Sequence, residues 1–548
     1  MTTSTIEIQT KKLIDDLKTT CASYGLGNDG NEYKIITQIF LYKFLNDKFG
    51  YEVKNVEEPN YRIRLKSADK WEDALKDFTD EEYEDLLSFL PPDSPKLKRE
   101  HFISNMWNQQ LKGDFSTLFD ATMVDIANYN SEIFSMKTES ETKLTLFENI
   151  TIYIPDTMKR DEFARALVSR LANFNFEKVF AQKYDFFSTI FEYLIKDYNK
   201  DGGGKYAEYF TPHSVASIMA QLLVKEGENI SDVSCCDPSA GSGTLLMAIA
   251  HAIGENRCTI FSQDINQKSS KMLLLNLILN NLVHSIPNII QGDTLVSPYH
   301  KTPDGRLQKF DYIVSNPPFK LDFSDTQPKL IDQKTRFFAG VPNIPKKDKD
   351  KMAIYLLFIQ HIINSLSAKG KAAVVVPTGF ITAGNGIEKK IREHLVTGKM
   401  IRGVVSMPSN IFATTGTNVS VLFLDKQNAD GKVVLIDASK LGTTVIEDGT
   451  QRTKLNIDDI EKIVNTFHNR LSVEDFAVAL TYSEISEKNY SFSAGQYFDV
   501  KIEYTDITPD EFTAKLCGYK SNLNKLFEKS KVLEAEIQKQ LEELKYDL

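Results

Sequence analysis

Asn316-Pro317-Pro318-Phe319 directly follows an apolar run, Phe310 to Ser315, and it is the segment with the most specific chemistry in the chain. Two consecutive prolines fix φ and remove N–H donors, so the backbone leaves the run in a rigid form with free carbonyls. The side-chain oxygen of Asn316 and the carbonyl of Pro317 can accept the two hydrogens of an exocyclic amino group. That draws the nitrogen toward tetrahedral geometry and frees a lone pair otherwise delocalised into the ring. Aimed at a methyl group on a sulfonium, such a nitrogen needs alignment more than it needs a metal or prior deprotonation. Phe319 offers a flat face on which a base turned out of its stack can lie. A plain Pro-Pro loop with a core Phe also fits these four residues taken alone.

Upstream, Asp237-Pro238-Ser239-Ala240-Gly241-Ser242-Gly243-Thr244 follows the run Val233 to Cys236 and opens a helix. Gly241 and Gly243 let the backbone turn tightly and approach a ligand, and the helix N-terminus offers unpaired N–H groups. Dinucleotide-binding folds use a similar turn for pyrophosphate. The acid at Asp237 suits a cationic ligand better, such as a sulfonium amino acid. In Ser262-Gln263-Asp264-Ile265-Asn266, Asp264 ends the next apolar run, where an acid can bind ribose hydroxyls; capping the following helix is an equal use for it. Asp293, after the third run, is placed to take the amino group of an adenine ring or to form a turn.

These residues need elements to hold them. Seven β-rich runs, Val233 to Cys236, Cys258 to Ser262, Asn288 to Ile290, Phe310 to Ser315, Ala372 to Val376, Ile401 to Ser406 and Val419 to Leu424, alternate with helical stretches. The expected fold is therefore α/β, a doubly wound seven-stranded sheet, with Asp237, Asp264, Asp293 and Asn316 all at strand ends. The first part of the chain, with Ile35, Ile36, Ile39, Phe40 and Phe44 at helical spacing, reads as all-α. A Gly-rich loop, Asp201 to Lys205, precedes the α/β part as a hinge or ligand-facing segment. Lys320 to Lys351 is charged and without period, a solvated loop or a lid that grips the substrate. From about Ser521, Leu523, Leu526, Leu533, Ile537, Leu541 and Leu544 form the apolar stripe of a helical tail. The division expected is 1–160 helical, 161–480 catalytic, and 481–548 a C-terminal segment and amphipathic helix for subunit contact.

The 548 residues, 42% hydrophobic and 26% charged, have the composition of a folded globular chain of more than one domain. No run has the length of a membrane span and no signal peptide is evident, which points to the cytoplasm. Five cysteines without a Cys-x-x-Cys pair argue against a disulfide framework and a zinc ribbon. A net charge of −10 opposes binding to a polyanion, so a nucleic-acid substrate calls for a partner or a local basic patch.

Taken together, the Asp237–Thr244 and Asn316–Phe319 segments resemble the amino-group methyltransferases of DNA, in the asparagine form typical of adenine N6 methylation. Glu208-Tyr209-Phe210-Thr211-Pro212, followed by His213, matches the family's cofactor-contacting segment, and its place ahead of the Gly-rich turn is the gamma-class order. The resemblance sharpens to the modification (M) subunits of type I restriction-modification systems through Tyr184-Asp185-Phe186, Ala207 to Pro212, and Asn410-Ile411-Phe412-Ala413-Thr414-Thr415-Gly416-Thr417. It departs from the usual form at Ala207, where Gly is more familiar.

The resemblance implies S-adenosylmethionine as cofactor, held by Glu208 to His213, Asp237, Ser239 to Thr244, Asp264, Ile265 and Asp293, with catalysis at Asn316 to Phe319. Double-stranded DNA is the implied substrate. Two M copies bind one specificity subunit that reads the sequence, and a restriction subunit is a further partner. Such a partner supplies the positive charge this chain lacks, and the tail's stripe is a surface for it. No Walker-type phosphate loop is found, so ATP-driven cleavage belongs to another chain. Two other readings stay open: methylation of a protein glutamine or an RNA base, since the Asn-Pro-Pro device suits any planar nitrogen, and a non-catalytic scaffold of a restriction complex.

Overall fold

The computed structural model describes residues 3–27, 30–66, 68, 70–177, 180, 190, 193–194, 211–412, 418–428, 431–447, 450–498 and 507–543. By its contacts the chain divides into Met1–Tyr497 and Phe498–Leu548.

In the first unit the strands, in chain order, are β1 (Met136–Thr138), β2 (Lys143–Leu144), β3 (Val233–Asp237), β4 (Cys258–Asp264), β5 (Ile289–Gln291), β6 (Phe310–Ser315), β7 (Leu366–Pro377), β8 (Ile401–Ser406), β9 (Val419–Asp425), β10 (Val433–Asp437), β11 (Thr443–Glu447), β12 (Thr450–Lys454) and β13 (Ala477–Leu480). Eleven of them form one sheet in the order β13-β10-β8-β9-β7-β6-β3-β4-β5-β1-β2, and β11 pairs with β12 apart. The seven expected strands are its centre, β5-β4-β3-β6-β7-β9-β8. They are parallel except β9, which runs antiparallel between β7 and β8. The order reverses at β3, so the crevice beyond the carboxyl ends of β3 and β6 is the topological switch point where α/β sheets bind ligands.

Both faces of the sheet are covered, as near-continuous apolar strands require. Cys235, Tyr312, Val314, Ala373 and Val375 share a core with the helices His213–Leu223, Thr244–Ile253 and Gln267–Leu279. The alternate residues Ile313, Val374 and Val376 face the other way and are also buried, with the helix Tyr355–Ser365 packed against β7. Helix starts follow local chemistry: Asn266 caps Gln267–Leu279 by accepting from the N–H groups of Lys268 and Ser269.

The N-terminal region is helical, as its periodicity predicts, apart from β1 and β2. Strands of three and two residues are too short to leave a period in the sequence, yet β1 pairs in parallel with β5 and ties the helical region to the sheet edge. The helices Tyr355–Ser365 and Gly386–Thr397 are two of the helical stretches expected between the strands. The charged stretch after Lys320 is not a bare solvated loop. Phe323, Leu330, Phe337 and Met352 form a small core of their own with Leu295, Leu357 and Phe358. The Gly-rich loop Asp201 to Lys205 lies outside the described residues. No described helix is long and apolar enough to cross a membrane.

In the second unit a helix runs from Pro509 to Glu543, starting earlier than the expected Ser521. Thr508 and Glu511 cap its start reciprocally. Its exposed apolar residues Phe512, Leu516, Tyr519, Leu523, Leu526, Leu533 and Ile537 keep a three-and-four spacing along the helix.

Candidate active site

Asp237 is the last residue of β3 and is buried. Its Oδ1 accepts from the Ser239 N–H at 2.9 Å and, at 3.4 Å, from the Ser239 hydroxyl. Burial, with the nearby Asp264 charge adding to it, pushes the Asp237 carboxyl up to about 7. A buried acid with only neutral donors around it among the described residues is a site that a cation would stabilise. The segment that follows is shaped by its glycines: Gly241 has φ +54 and Gly243 φ +84, and a Cβ on Gly243 would lie 2.2 Å from Leu273 Cδ1. The Gly243 N–H turns back to Ala240 O at 2.8 Å, and Asn276 Nδ2 donates to Ser242 O at 3.1 Å, fixing the turn against the next helix. Thr244 begins a different helix, Thr244–Ile253, its hydroxyl 3.3 Å from that of Ser242.

Asp264 closes β4 and does not cap the following helix, since Asn266 does. Its Oδ2 accepts the Gly241 N–H and its Oδ1 the Asn266 N–H, each at 2.8 Å. Burial raises its pKa despite these two donors. The carboxylate braces the glycine turn, and each oxygen keeps a lone pair for a hydroxyl. Beside it, Ile265 is 63% exposed, an apolar surface on which a planar ring can rest. Asp293 uses Oδ1 for a turn, accepting from the N–H groups of Leu295 at 2.8 Å and Val296 at 3.0 Å, and its own N–H donates to Glu139. Its Oδ2 faces no hydrogen-bond donor among the described residues.

Asn316 leaves the end of β6, and its Nδ2 donates to the buried hydroxyl of Thr211 at 3.1 Å. In this orientation the amide nitrogen faces Thr211 and Oδ1 is left to accept from something else. Pro317 is buried, Pro318 and Phe319 half-buried, and Phe319 meets Tyr355 edge-on at 6.2 Å. Pro212 stands at the N-cap of the helix that His213 opens. Glu208, Tyr209 and Phe210 lie outside the described residues, as do Tyr184 to Phe186 and Ala413 to Thr417.

The two halves are joined by side chains the sequence did not single out. The Ser239 hydroxyl sits 2.7 Å from that of Ser315, the residue before Asn316, so the glycine turn and the Asn-Pro-Pro segment share one hydrogen-bond chain: Asp237, Ser239, Ser315. Thr294 donates to Pro238 O at 2.7 Å and locks the end of the third strand under the same turn. Ser315 and Thr294 are sequence neighbours of residues already flagged, and that adjacency was the available signal. For Arg336 there was none: it is buried in the charged stretch, donating to Leu295 O and Thr294 O at 2.6 and 2.7 Å and to His361 Nδ1 at 2.8 Å. Burial keeps that histidine neutral, well below its ordinary pKa, and able to accept. Asp237, the glycine turn, Asp264, Asp293 and Asn316 are thus assembled at or just beyond the carboxyl ends of β3, β4, β5 and β6. There the buried Asp237 carboxyl connects through Ser239 and Ser315 to the Asn316 segment, an arrangement that suits transfer from a cationic donor to an amino group.

The family model described as N-6 DNA Methylase matches residues 182–506 of the chain. The chain is 27% identical over 400 residues to the type I restriction enzyme MpnII methylase subunit of Mycoplasma pneumoniae, covering 72% of this chain and 67% of that protein. It is 27% identical over 386 residues to the HindI methylase subunit of Haemophilus influenzae, covering 68% of this chain and 82% of that protein. Among solved structures, the type I restriction-modification system methyltransferase subunit from Streptococcus thermophilus shares the fold. Its TM-score is 0.72 at 22% identity, over 91% of this chain and 100% of that one.

Proposed function

This chain belongs to the N-6 DNA methylase family, and from that premise we propose that it moves a methyl group from S-adenosylmethionine to N6 of adenine in DNA as the modification subunit of a type I restriction-modification assembly. The observation that carries the reading is the tethered amide: Asn316 commits its nitrogen to Thr211 and keeps Oδ1 for a substrate amine, one residue from the Ser315–Ser239 link to the cofactor turn.

The residues fit the cofactor. Asp237, buried and with no cationic partner among the described residues, would face the ammonium of the methionine moiety; Asp264 would take the ribose hydroxyls. Ile265 would support the adenine ring and Asp293 Oδ2 would accept from its amino group. Ser239, Ala240, Gly241, Ser242, Gly243 and Thr244 form the turn between them, and Glu208 to His213 are assigned to cofactor contact. When bound, the cofactor supplies an activated methyl on a good leaving group. Asn316 Oδ1 and the Pro317 carbonyl then accept the hydrogens of the adenine amino group and hold its lone pair in line, while the ring stacks on Phe319 after leaving the duplex. The prolines keep those acceptors from relaxing away.

We assign DNA sequence recognition to a specificity subunit carried by two copies of this chain, with the stripe on Pro509–Glu543 as the docking surface and a restriction subunit as a further partner. The assembly works in the cytoplasm. Residues 1–160, 161–480 and 481–548 are the working division into helical, catalytic and C-terminal parts. Supplying methyl-labelled cofactor and duplex DNA to the chain co-purified with its specificity subunit tests this directly. The label is expected in N6-methyladenine; label found only in protein or RNA would refute the assignment.

A further inference from the structure

The phosphates of a duplex repel a chain of net charge −10. Between Lys320 and Lys351 the balance is reversed, with eight Lys or Arg against five Asp, and four of the lysines crowd into Lys346-Lys347-Asp348-Lys349-Asp350-Lys351. A run of exposed lysines is ordinarily a solvated face. What distinguishes this one is where and how firmly it is held. The Leu321 N–H donates to Met352 O at 3.1 Å, closing the segment at its stem. Lys320 and Lys351 therefore flank the stem, and Lys320 directly follows Phe319.

The segment is also built rather than draped. Its own small core, with Phe323, Leu330, Phe337 and Met352, and the buried Arg336 fix it to Thr294 and Leu295 beneath the glycine turn. Lys346, Lys347, Lys349 and Lys351 all stay exposed, and the ion pair of Lys351 with Asp348 at 3.2 Å is a surface one, worth little against a bound phosphate. A preformed element loses less conformational entropy on binding than a free loop would.

We infer that the segment Leu321–Met352 is a fixed phosphate-gripping element, its lysines 346–351 holding the DNA backbone beside the extruded adenine. This rests on the reading of the chain as a DNA methylase. Backbone grips of this kind position the duplex without reading its sequence, which suits a chain whose sequence recognition lies in a partner.

The test compares the wild-type chain with K346Q/K347Q/K349Q/K351Q, each co-purified with its specificity subunit, by duplex-binding anisotropy over roughly 50 to 200 mM salt. The variant is expected to bind DNA about tenfold more weakly at low salt, with a log Kd against log salt slope shallower by about 0.9 for each phosphate the lysines no longer neutralise. Its affinity for S-adenosylmethionine is expected to stay at the wild-type value. Unchanged Kd and slope would overturn the inference and leave the methylase reading standing. A wild-type complex that methylates no duplex would overturn both. Should the quadruple variant melt early, K346Q/K347Q is read instead, with a slope shallower by about 1 to 2.

Discussion

At the scale of single residues, the proposed function assigns the cofactor and the reacting amine to different side chains. Asn316→Ala removes an acceptor that only the reacting amine meets, so transfer is expected to fall by at least about a hundredfold while cofactor affinity changes only a few-fold. Single-turnover kinetics beside calorimetry will show whether the two separate. Asp237 gives the site a pH signature. Its carboxyl, raised to about 7 in the free protein, is protonated below that value and cannot pair with a cation. Cofactor affinity is therefore expected to rise with pH up to about 7 and then level off, and Asp237→Asn to flatten that profile. The same shift acts oppositely on the unliganded fold. The native state holds a proton that the unfolded chain releases from about pH 4 upward, so this group lowers stability as pH rises toward 7 and no further above it.

At the scale of elements, what matters is how strand ends are clamped to one another. The glycine turn has no slack: Gly243 combines φ +84 with a Cβ position already filled by Leu273. Gly243→Ala is expected to destabilise the fold by about 1–3 kcal/mol from overpacking, with a further cost of about 1–2 kcal/mol for the left-handed backbone. Thermal melting without cofactor measures this, and a melting temperature equal to wild type would contradict the packing described. The Asp264 bridge to the Gly241 N–H makes a second case. Asp264→Ala is expected to weaken cofactor binding by about tenfold or more, the scale of a missing charge-assisted hydrogen bond, before it affects transfer from the saturated enzyme.

At the scale of the whole molecule, the net acidic chain carries a lysine-rich run at 346–351 and an apolar stripe along the C-terminal helix. Deleting residues 509–548 is expected to leave the melting of Met1–Tyr497 within a few degrees of wild type and to abolish co-purification with the specificity subunit. Co-purification at wild-type yield would remove the helix from the docking role. The stripe is longer than its sequence suggested because Cys517 and Gly518 interrupt the apolar pattern, although Phe512, Leu516 and Tyr519 keep the spacing.

The sequence by itself determined the seven central strands and the positions of Asp237, Asp264 and Asn316 at strand ends, because apolar runs and turn residues are local signals. Only the tertiary structure decided how Asp264 is used, as a brace for Gly241 rather than a helix cap, since both uses put an acid at the same position. It alone revealed that Thr211 orients Asn316 from 105 residues away and that Ser239 meets Ser315 across 76. It also turned the charged stretch after Lys320 into a packed element. Hydroxyls, short edge strands and a buried arginine carry no periodicity, and their partners are fixed by which strand ends the sheet order brings side by side.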